Sequence, residues 1–260
     1  MNTNRRSEGT EPLLLRQALN QGSGVLDLGK FIAEHARFSM DSAVLDVGAG
    51  AGEPILSCIR AAGIRRYRAL DCSPSSLGHL EEAARVHGIT VDAVTAEMDA
   101  LASANFRPDW SGLSHITAVY SLYYSRQADT LLAGLRQRLA SGGSLVVVGP
   151  APGNNREWFD FLSSAGVPLS DGLRSVSESF FPDVVQPFAE RNFEESSCFD
   201  AENPVTLNSV ETLEQYWRSN IYHDAGFDDA VRSAAMEMFR NQPVFTITKR
   251  IRLLHAGGRN

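Results

Sequence analysis

The stretch VLDVGAGAGEP, residues 44–54, sets three glycines directly behind a short apolar run. The apolar run predicts a buried β-strand over 43–47, and Pro54 suits the first turn of a following helix. Glycines at such a strand-to-helix turn allow the backbone to approach a ligand closely. We therefore expect a βα unit of a parallel sheet, with a ligand loop at residues 48–52.

The same alternation of strands and helices continues along the chain. Further strands are predicted at 67–70, 90–95, 115–121, 144–148 and 243–254. Helices are predicted at 54–62, 74–87 (with Ser73 as N-cap), 128–140, 208–220 and 228–240. Gly142-Gly143 is predicted to be a turn, and Asn208–Glu211 a capping box. Strands separated by helices predict an α/β fold with a parallel sheet and right-handed crossovers.

No stretch rich in proline, glycine or serine divides the chain, so residues 1–260 are assigned to a single α/β domain. Within it, N-terminal helices are expected at about 11–40 and the α/β core at about 41–150. A helical and aromatic cover is expected at about 151–195, followed by C-terminal strands and helices at about 196–256.

Composition argues against several classes of partner. The net charge is −7 and no run of lysine or arginine occurs, which argues against nucleic acid. Cys58, Cys72 and Cys198 form no CxxC pair, so no metal site and no disulfide framework are predicted. Residues 1–12 are polar, and no apolar run approaches the ~18 residues of a membrane span. We expect a cytoplasmic protein with no membrane partner, as a monomer or homodimer.

Carboxylates at both ends of the glycine loop restrict the kinds of ligand that it can bind. Asp46 and Glu53 would repel a phosphate by about 4 kcal/mol per charge pair at ~4 Å and an effective dielectric near 20. No Lys-Ser or Lys-Thr follows the glycines, and the spacing is GxGxG where dinucleotide loops have GxGxxG. The loop therefore suits a nucleoside that carries positive charge and no phosphate.

Together with three later segments, the loop resembles that of class I S-adenosylmethionine-dependent methyltransferases. The segments are RALDCS at 68–73, AEMDAL at 96–101 and LASGGSLVVVGP at 139–150. The resemblance covers roughly residues 40–150 and implies a Rossmann-like three-layer sandwich. Its sheet would be seven-stranded and mostly parallel, with an antiparallel C-terminal strand and a helical insertion after strand five. S-adenosylmethionine (SAM) would be the cofactor and S-adenosylhomocysteine (SAH) its product.

The resemblance also implies which residues bind the cofactor. Asp46 would favour the ammonium group, Asp71 would accept from the ribose hydroxyls, and Asp99 would accept from the adenine amino group. The full predicted cofactor set is Asp46, Gly48, Ala49, Gly50, Asp71, Cys72, Met98, Asp99, Tyr120 and Ser121. Some of these residues could instead have purely structural roles. The glycines could serve only to form a turn, Asp71 could be an N-cap, Met98 could pack in the core and Asp99 could lie in a surface turn.

Aromatic residues supply the candidates for the acceptor side. Eight of the chain's 22 aromatic residues fall within residues 158–199, where most are expected to form a core and a few to line an apolar acceptor pocket. The predicted substrate-binding residues are Tyr123, Trp158 and Phe181. The predicted catalytic residues are Tyr120, Tyr124 and His223, with His35 as a second candidate base and His115 as a structural residue.

These features predict a methyltransferase that acts on a small-molecule acceptor by in-line displacement, in specialised metabolism. One alternative is a lyase or cyclase of the same fold that converts SAM itself to a cyclic amino acid and methylthioadenosine. A nicotinamide-dependent oxidoreductase and a non-catalytic SAM-binding subunit are further alternatives.

Overall fold

Strands and helices alternate through residues 26–220 and 222–258, which the computed structural model describes. The strands are β1 Val44–Val47, β2 Arg66–Asp71, β3 Thr90–Thr95, β4 Leu113–Val119, β5 Leu139–Pro150, β6 Glu195–Leu207 and β7 Phe245–Gly257. The helices are α1 Leu28–Ala36, α2 Ile55–Ala61, α3 Pro74–Val86, α4 Ala128–Arg138, α5 Arg156–Ser164, α6 Asp171–Ser179, α7 Gln186–Asn192, α8 Val210–Arg218 and α9 Asp228–Asn241.

Among the described residues the seven strands form one sheet in the order β3-β2-β1-β4-β5-β7-β6. Strands β1 to β5 pair in parallel, whereas β7 runs antiparallel to β5. This confirms the predicted mostly parallel seven-stranded sheet. The strand order reverses between β1 and β4, and ligands of such sheets bind beyond the carboxyl ends of the strands at that point.

Local sequence explains how the elements around this point begin and pack. Ser73 caps α3 by accepting from the backbone N–H of Ser76, as its position predicted. Gly52 packs α3 against the loop, because a Cβ there would lie 2.3 Å from Leu80 Cδ1. The glycine loop is thereby held between β1 and the second βα unit.

The chain divides into two compact units. Of the described residues, one unit contains 27–151, 176–200 and 251–258, and the other contains 26, 152–175, 201–220 and 222–250. In the first, Leu45, Val47, Ile116 and Leu145 belong to a fully buried core. The second has its own core, which is rich in aromatic residues: Trp158, Phe161, Tyr216 and Trp217. The single-domain assignment and the bounds of the cover stay predictions.

The predicted turn at Gly142-Gly143 is present as an irregularity inside a longer strand, since Gly142 has a φ of 74° and the register shifts between Leu113 and His115. Both glycines lie within β5, whose first residue, Leu139, is registered with Leu113 of β4. A Cβ at Gly143 would lie 2.7 Å from the carbonyl oxygen of Leu113, so glycine permits this close approach of two strands. Strand β4 ends two residues before its predicted end, because Tyr120 has a φ of 53°.

Two further details differ from the sequence patterns. No strand is predicted specifically at β6, because its first eight residues, Glu195–Glu202, are mostly exposed and show no apolar alternation. The capping box of α8 is formed by Ser209 and Thr212, one residue later than predicted. The part of the predicted helical stretch 11–40 that precedes residue 26 lies outside the described residues.

Candidate functional site

The glycine loop follows β1 and is fixed to β2 by its backbone. The N–H groups of Gly48 and Ala49 donate to the carbonyl of Leu70, at 2.7 and 3.0 Å. Gly48 has a φ of 71°, and a Cβ there would lie 2.3 Å from the Cβ of Ser121. Gly50 has a φ of 54°, and a Cβ there would meet no heavy atom of the described structure within 4 Å. The loop therefore touches the segment that follows β4 on one side and faces open space on the other.

Asp71, at the end of β2, holds the loop in this form. Its Oδ2 accepts from the backbone N–H of Gly50 at 2.8 Å, and its Oδ1 accepts from that of Ser73 at 2.8 Å. The N-cap of α3 is Ser73, so the capping alternative for Asp71 is not what the structure shows. A carboxylate has about four lone-pair sites, so two remain for a ligand.

Asp46, within β1, is a buried carboxyl group with one hydrogen-bond donor. Thr117 Oγ1 donates to its Oδ1 at 2.8 Å. Burial raises the pKa of Asp46 to about 7, the bond from Thr117 opposes this rise, and the charge of Asp71 adds to it. A buried carboxylate of this kind is stabilised by any cation that binds beside it.

Met98 and Asp99 open the turn that follows β3. The methyl carbon of Met98 lies 3.6 Å from the position of a Cβ at Gly48, so Met98 borders the glycine loop. Asp99 Oδ2 accepts from the backbone N–H of Arg126 at 3.0 Å, and its Oδ1 accepts from the hydroxyl of Ser125. Asp99 is thus bonded to the segment after β4.

Tyr120 and Ser121 follow β4 beside the glycine loop. The backbone N–H of Tyr120 donates to Val148 on β5 at 2.7 Å, and Ser121 Oγ donates to the Val47 carbonyl at 2.6 Å. A positive φ in a non-glycine residue such as Tyr120 is uncommon and is often found at functional sites. Burial raises the pKa of Tyr120, so its hydroxyl stays protonated near neutral pH and can donate a hydrogen bond.

Three aromatic side chains of the same unit lie after β4 in the chain and pack against one another: Tyr123, Tyr124 and Phe180. We call them the aromatic wall. The ring of Tyr123 lies 4.7 Å from that of Tyr124 and 5.8 Å from that of Phe180. Phe180 begins a π-helical segment, Phe180–Val185, and such segments are frequent at functional sites. Phe181 is fully buried behind the wall, near Gly149 at the end of β5.

The predicted site residues of the other unit have structural partners. Trp158 is fully buried, and its Nε1 donates to Tyr222 at 2.8 Å. His223 Nε2 and Asp228 Oδ1 are 2.9 Å apart, and this bond lowers the pKa of Asp228. The contact of Trp158 with an acceptor and the catalytic role of His223 stay predictions.

The remaining candidates lie in the unit of the glycine loop. His35 stacks on Phe199 at a centroid distance of 3.9 Å, and His115 Nδ1 lies 2.9 Å from Ser114 Oγ. Cys72 is exposed beside Asp71, and partial burial raises the pKa of its thiol. Among the described residues, no group of three His, Cys, Asp or Glu side chains could hold a metal ion.

Sequence reasoning missed three residues of this site. Thr117 gave no signal, since a threonine within a strand is ordinary. Phe180 was one of two adjacent phenylalanines, and the sequence pointed to Phe181, which proves to be the buried one. Ser125 could have been found only by asking which hydroxyl reaches Asp99.

Comparison with known proteins gives a family match for part of the chain. Residues 44–143 match the family model of a methyltransferase domain. No curated protein matches the sequence. Helices that are long and apolar enough to cross a membrane do not occur in the part of the chain described.

Several solved structures share the fold. The YcgJ protein of Bacillus subtilis is 15% identical, over 89% of this chain and 98% of that chain, with a TM-score of 0.59. A geranyl diphosphate methyltransferase in complex with GPP and sinefungin is 16% identical, over 88% and 77%, with a TM-score of 0.53. The geranyl diphosphate C-methyltransferase of Streptomyces coelicolor A3(2), in complex with Mg²⁺, geranyl diphosphate and SAH, is 15% identical, over 88% and 78%, with a TM-score of 0.50.

Proposed function

We propose that this protein is a class I SAM-dependent methyltransferase that methylates an apolar small molecule, a proposal supported by the match of residues 44–143 to the model of a methyltransferase domain. The observation that carries the proposal is the set of groups at the carboxyl ends of β1 and β2, where the strand order reverses. There the open backbone at Gly50, the buried carboxyl of Asp46 and the partly exposed carboxylate of Asp71 belong to adjoining strands and their connecting loop. Two carboxylates suit a cationic nucleoside better than a nucleotide.

Each part of the cofactor has a matching group in the proposal. Asp71, already held by Gly50 and Ser73, directs its remaining lone pairs to the ribose hydroxyls. Asp46 supports the ammonium group, directly or through water, and its ionised form is favoured by that charge. Met98 packs against the adenine, and the methionine portion lies along Tyr120 and Ser121.

The aromatic wall is the proposed acceptor-facing surface. Tyr124 is exposed, Tyr123 and Phe180 are partly exposed, and none of the three carries a formal charge, which suits an apolar or flat acceptor. Aromatic faces also attract a sulfonium and exclude water from it. Two of the structural neighbours are methyltransferases of geranyl diphosphate, which is in keeping with a small-molecule acceptor in specialised metabolism.

The reaction requires little covalent chemistry from the protein. SAM supplies a methyl group that is activated by its sulfonium, and the acceptor's lone pair forms the new bond as the carbon–sulfur bond breaks towards sulfur. Any acceptor proton leaves to water or to a base. The protein's part is to align the nucleophile with the methyl group and to exclude water.

The direct test is product analysis with SAM, in the presence and absence of a panel of hydrophobic alcohols, phenols and amines. We expect SAH and a methylated acceptor to appear together, only when an acceptor is present. Methylthioadenosine formed without an acceptor would contradict methyl transfer and favour the lyase or cyclase reaction.

A pair of variants tests the aromatic wall. Phe180→Ala should raise the acceptor KM while leaving SAH affinity within about twofold of wild type, because Phe180 packs beside Tyr123 and not beside the glycine loop. Phe199→Ala, which removes a ring stacked on His35, is the matched control and should leave the acceptor KM unchanged. Equal acceptor KM values in all three proteins would remove the wall from the acceptor site.

A further inference from the structure

The segment that carries Tyr123 and Tyr124 is fastened at both ends to segments of the cofactor site. At its start, Ser121 Oγ donates to the carbonyl of Val47, directly before the glycine loop, at 2.6 Å. At its end, Ser125 and Arg126 donate to the carboxylate of Asp99. Between these points the chain makes one 3₁₀ turn, Leu122–Tyr124. We call residues 121–126 the tyrosine turn.

We propose that Asp99 is a positioning residue that couples the nucleoside end of the site to the tyrosine turn. This rests on the proposed function, since the sequence resemblance assigns Asp99 only to the adenine amino group. The carboxylate accepts from the Ser125 hydroxyl through one oxygen and from the Arg126 N–H through the other. Each oxygen has a second lone pair, so one oxygen can accept from an adenine amino group without releasing the turn.

The hydrogen bonds continue from Asp99 into the next helix. Ser125 Oγ accepts from the backbone N–H of Gln127 at 3.1 Å, and Gln127 directly precedes α4. A single side chain, Ser125, therefore links Asp99 to the start of a helix and to the end of the tyrosine turn. Replacing the Ser125 hydroxyl removes this connection and leaves Asp99 and its bond from the Arg126 N–H in place.

The consequence is reciprocal coupling between two surfaces. A ligand that bonds to Asp99 immobilises its carboxylate, which in turn holds Ser125 and Arg126 and so orders the adjacent Tyr123 and Tyr124. By linkage, an ordered turn strengthens nucleoside binding by the same factor. The tyrosines of the aromatic wall would thus be most ordered when the cofactor is bound.

Hydrogen exchange of residues 121–127 in the full-length protein tests this coupling, with SAH as the ligand. In wild type, SAH should slow exchange at the amides of Ser125, Arg126 and Gln127 by roughly five- to tenfold, a typical allosteric coupling. Ser125→Ala should abolish that slowing at Gln127, reduce it at Ser125 and Arg126, and weaken SAH binding by a similar or smaller factor. Ser125→Thr, which keeps the hydroxyl, should restore both. Ser111→Ala, which removes a hydroxyl bonded to Pro108, is the matched control.

The outcomes separate this proposal from the proposed function. If SAH slows exchange equally in wild type and Ser125→Ala, the coupling is overturned even though the protein binds SAH. If wild type does not bind SAH, the proposed function fails. In that case, hydrogen exchange of the ligand-free proteins tests whether the Ser125 hydroxyl holds the tyrosine turn in place. Faster exchange of residues 121–127 in Ser125→Ala than in wild type supports this role, and equal exchange overturns it.

Discussion

Within β1, at the residue scale, the carboxyl group of Asp46 is enclosed by the protein and bonded to Thr117. Its pKa is raised to about 7, chiefly by burial. The folded protein therefore holds this proton more tightly than the unfolded chain, whose aspartates titrate near ~3.9. The stability of the ligand-free protein should accordingly fall as pH rises from about 4 to about 7, and be level above that.

Replacement of Asp46 by Asn should separate stability from binding. At pH 8 the ligand-free Asp46→Asn protein should unfold with a free energy higher than that of wild type by up to roughly 4 kcal/mol, and near pH 4 the two should agree. Its SAH affinity at pH 8 should fall at least tenfold, because the charge beside the ammonium group is gone. Urea unfolding and calorimetry measure the two effects, with exposed Asp41→Asn as control. Unchanged SAH affinity would remove Asp46 from the site.

Substitution of Gly48 tests whether steric collision explains why the loop has glycine at this position. Gly48→Ala should destabilise the protein by about 2–4 kcal/mol, because it adds a Cβ 2.3 Å from Ser121 Cβ to the strain of a φ of 71°. Gly112→Ala, with a φ of 65° and open space around it, measures the strain alone, about 1 kcal/mol. Adding Ser121→Gly to Gly48→Ala should recover most of the difference in urea unfolding. No recovery would show that the collision with Ser121 is not the cause.

At the element scale, one side chain at the end of α4 organises the segment 101–110. Arg138 is buried, and its guanidinium donates to the carbonyls of five residues: Leu101, Ser103, Phe106, Arg107 and Trp110. Five N–H donors in a planar fork match these five acceptors. The segment directly follows Asp99, so Arg138 supports the nucleoside end of the site from behind.

Arg138→Lys keeps the positive charge and should still destabilise the protein by about 2–4 kcal/mol, because an ammonium group cannot reach five carbonyls. Denaturant unfolding measures the loss. The control, Arg85→Lys, alters an exposed arginine paired with Glu82 and should leave stability close to that of wild type. Equal stabilities of the two variants would show that the five bonds contribute little.

The sequence predicts most elements to within two residues, because their apolar periodicity and capping residues are local signals. It fails where long-range packing decides. Strand β5 begins at Leu139, five residues before its predicted start, through pairing with β4, and the exposed β6 has no apolar alternation. The same holds for the site: the glycine loop and Asp71 could be predicted because they lie in recognisable sequence motifs. Thr117 and Ser125, in contrast, are found only by their contacts with Asp46 and Asp99.

At the scale of the whole molecule, histidines on separate strands make stability depend on pH. Burial lowers the pKa values of His115 on β4 and His255 on β7. Their mutual charge lowers that of His115 further, and Arg37 and His35 lower that of His255, while Ala36 and Glu195 oppose these shifts. The unfolded chain takes up these protons near ~6.5, so stability should be lost as pH falls below that value.

Asp46 acts in the opposite direction over the same pH range, so the histidines are best measured in the Asp46→Asn background. There the melting temperature should fall between pH 7 and pH 5, and His115→Gln should flatten that fall. His79→Gln changes an exposed histidine on α3 and should leave the profile unchanged. Identical profiles for the two histidine variants would contradict the assignment to buried histidines.

The central claim is that the crevice at the glycine loop binds the nucleoside of SAM through Asp71, and calorimetry of SAH and NAD tests it directly. Wild type should bind SAH and give no heat with NAD. Asp71→Ala should weaken SAH binding at least tenfold, and Asp71→Asn, which keeps one of the two acceptor oxygens, should do so as well, whereas Asp41→Asn should bind as wild type does. Wild-type SAH affinity in both Asp71 variants, or binding of NAD in place of SAH, would contradict the claim.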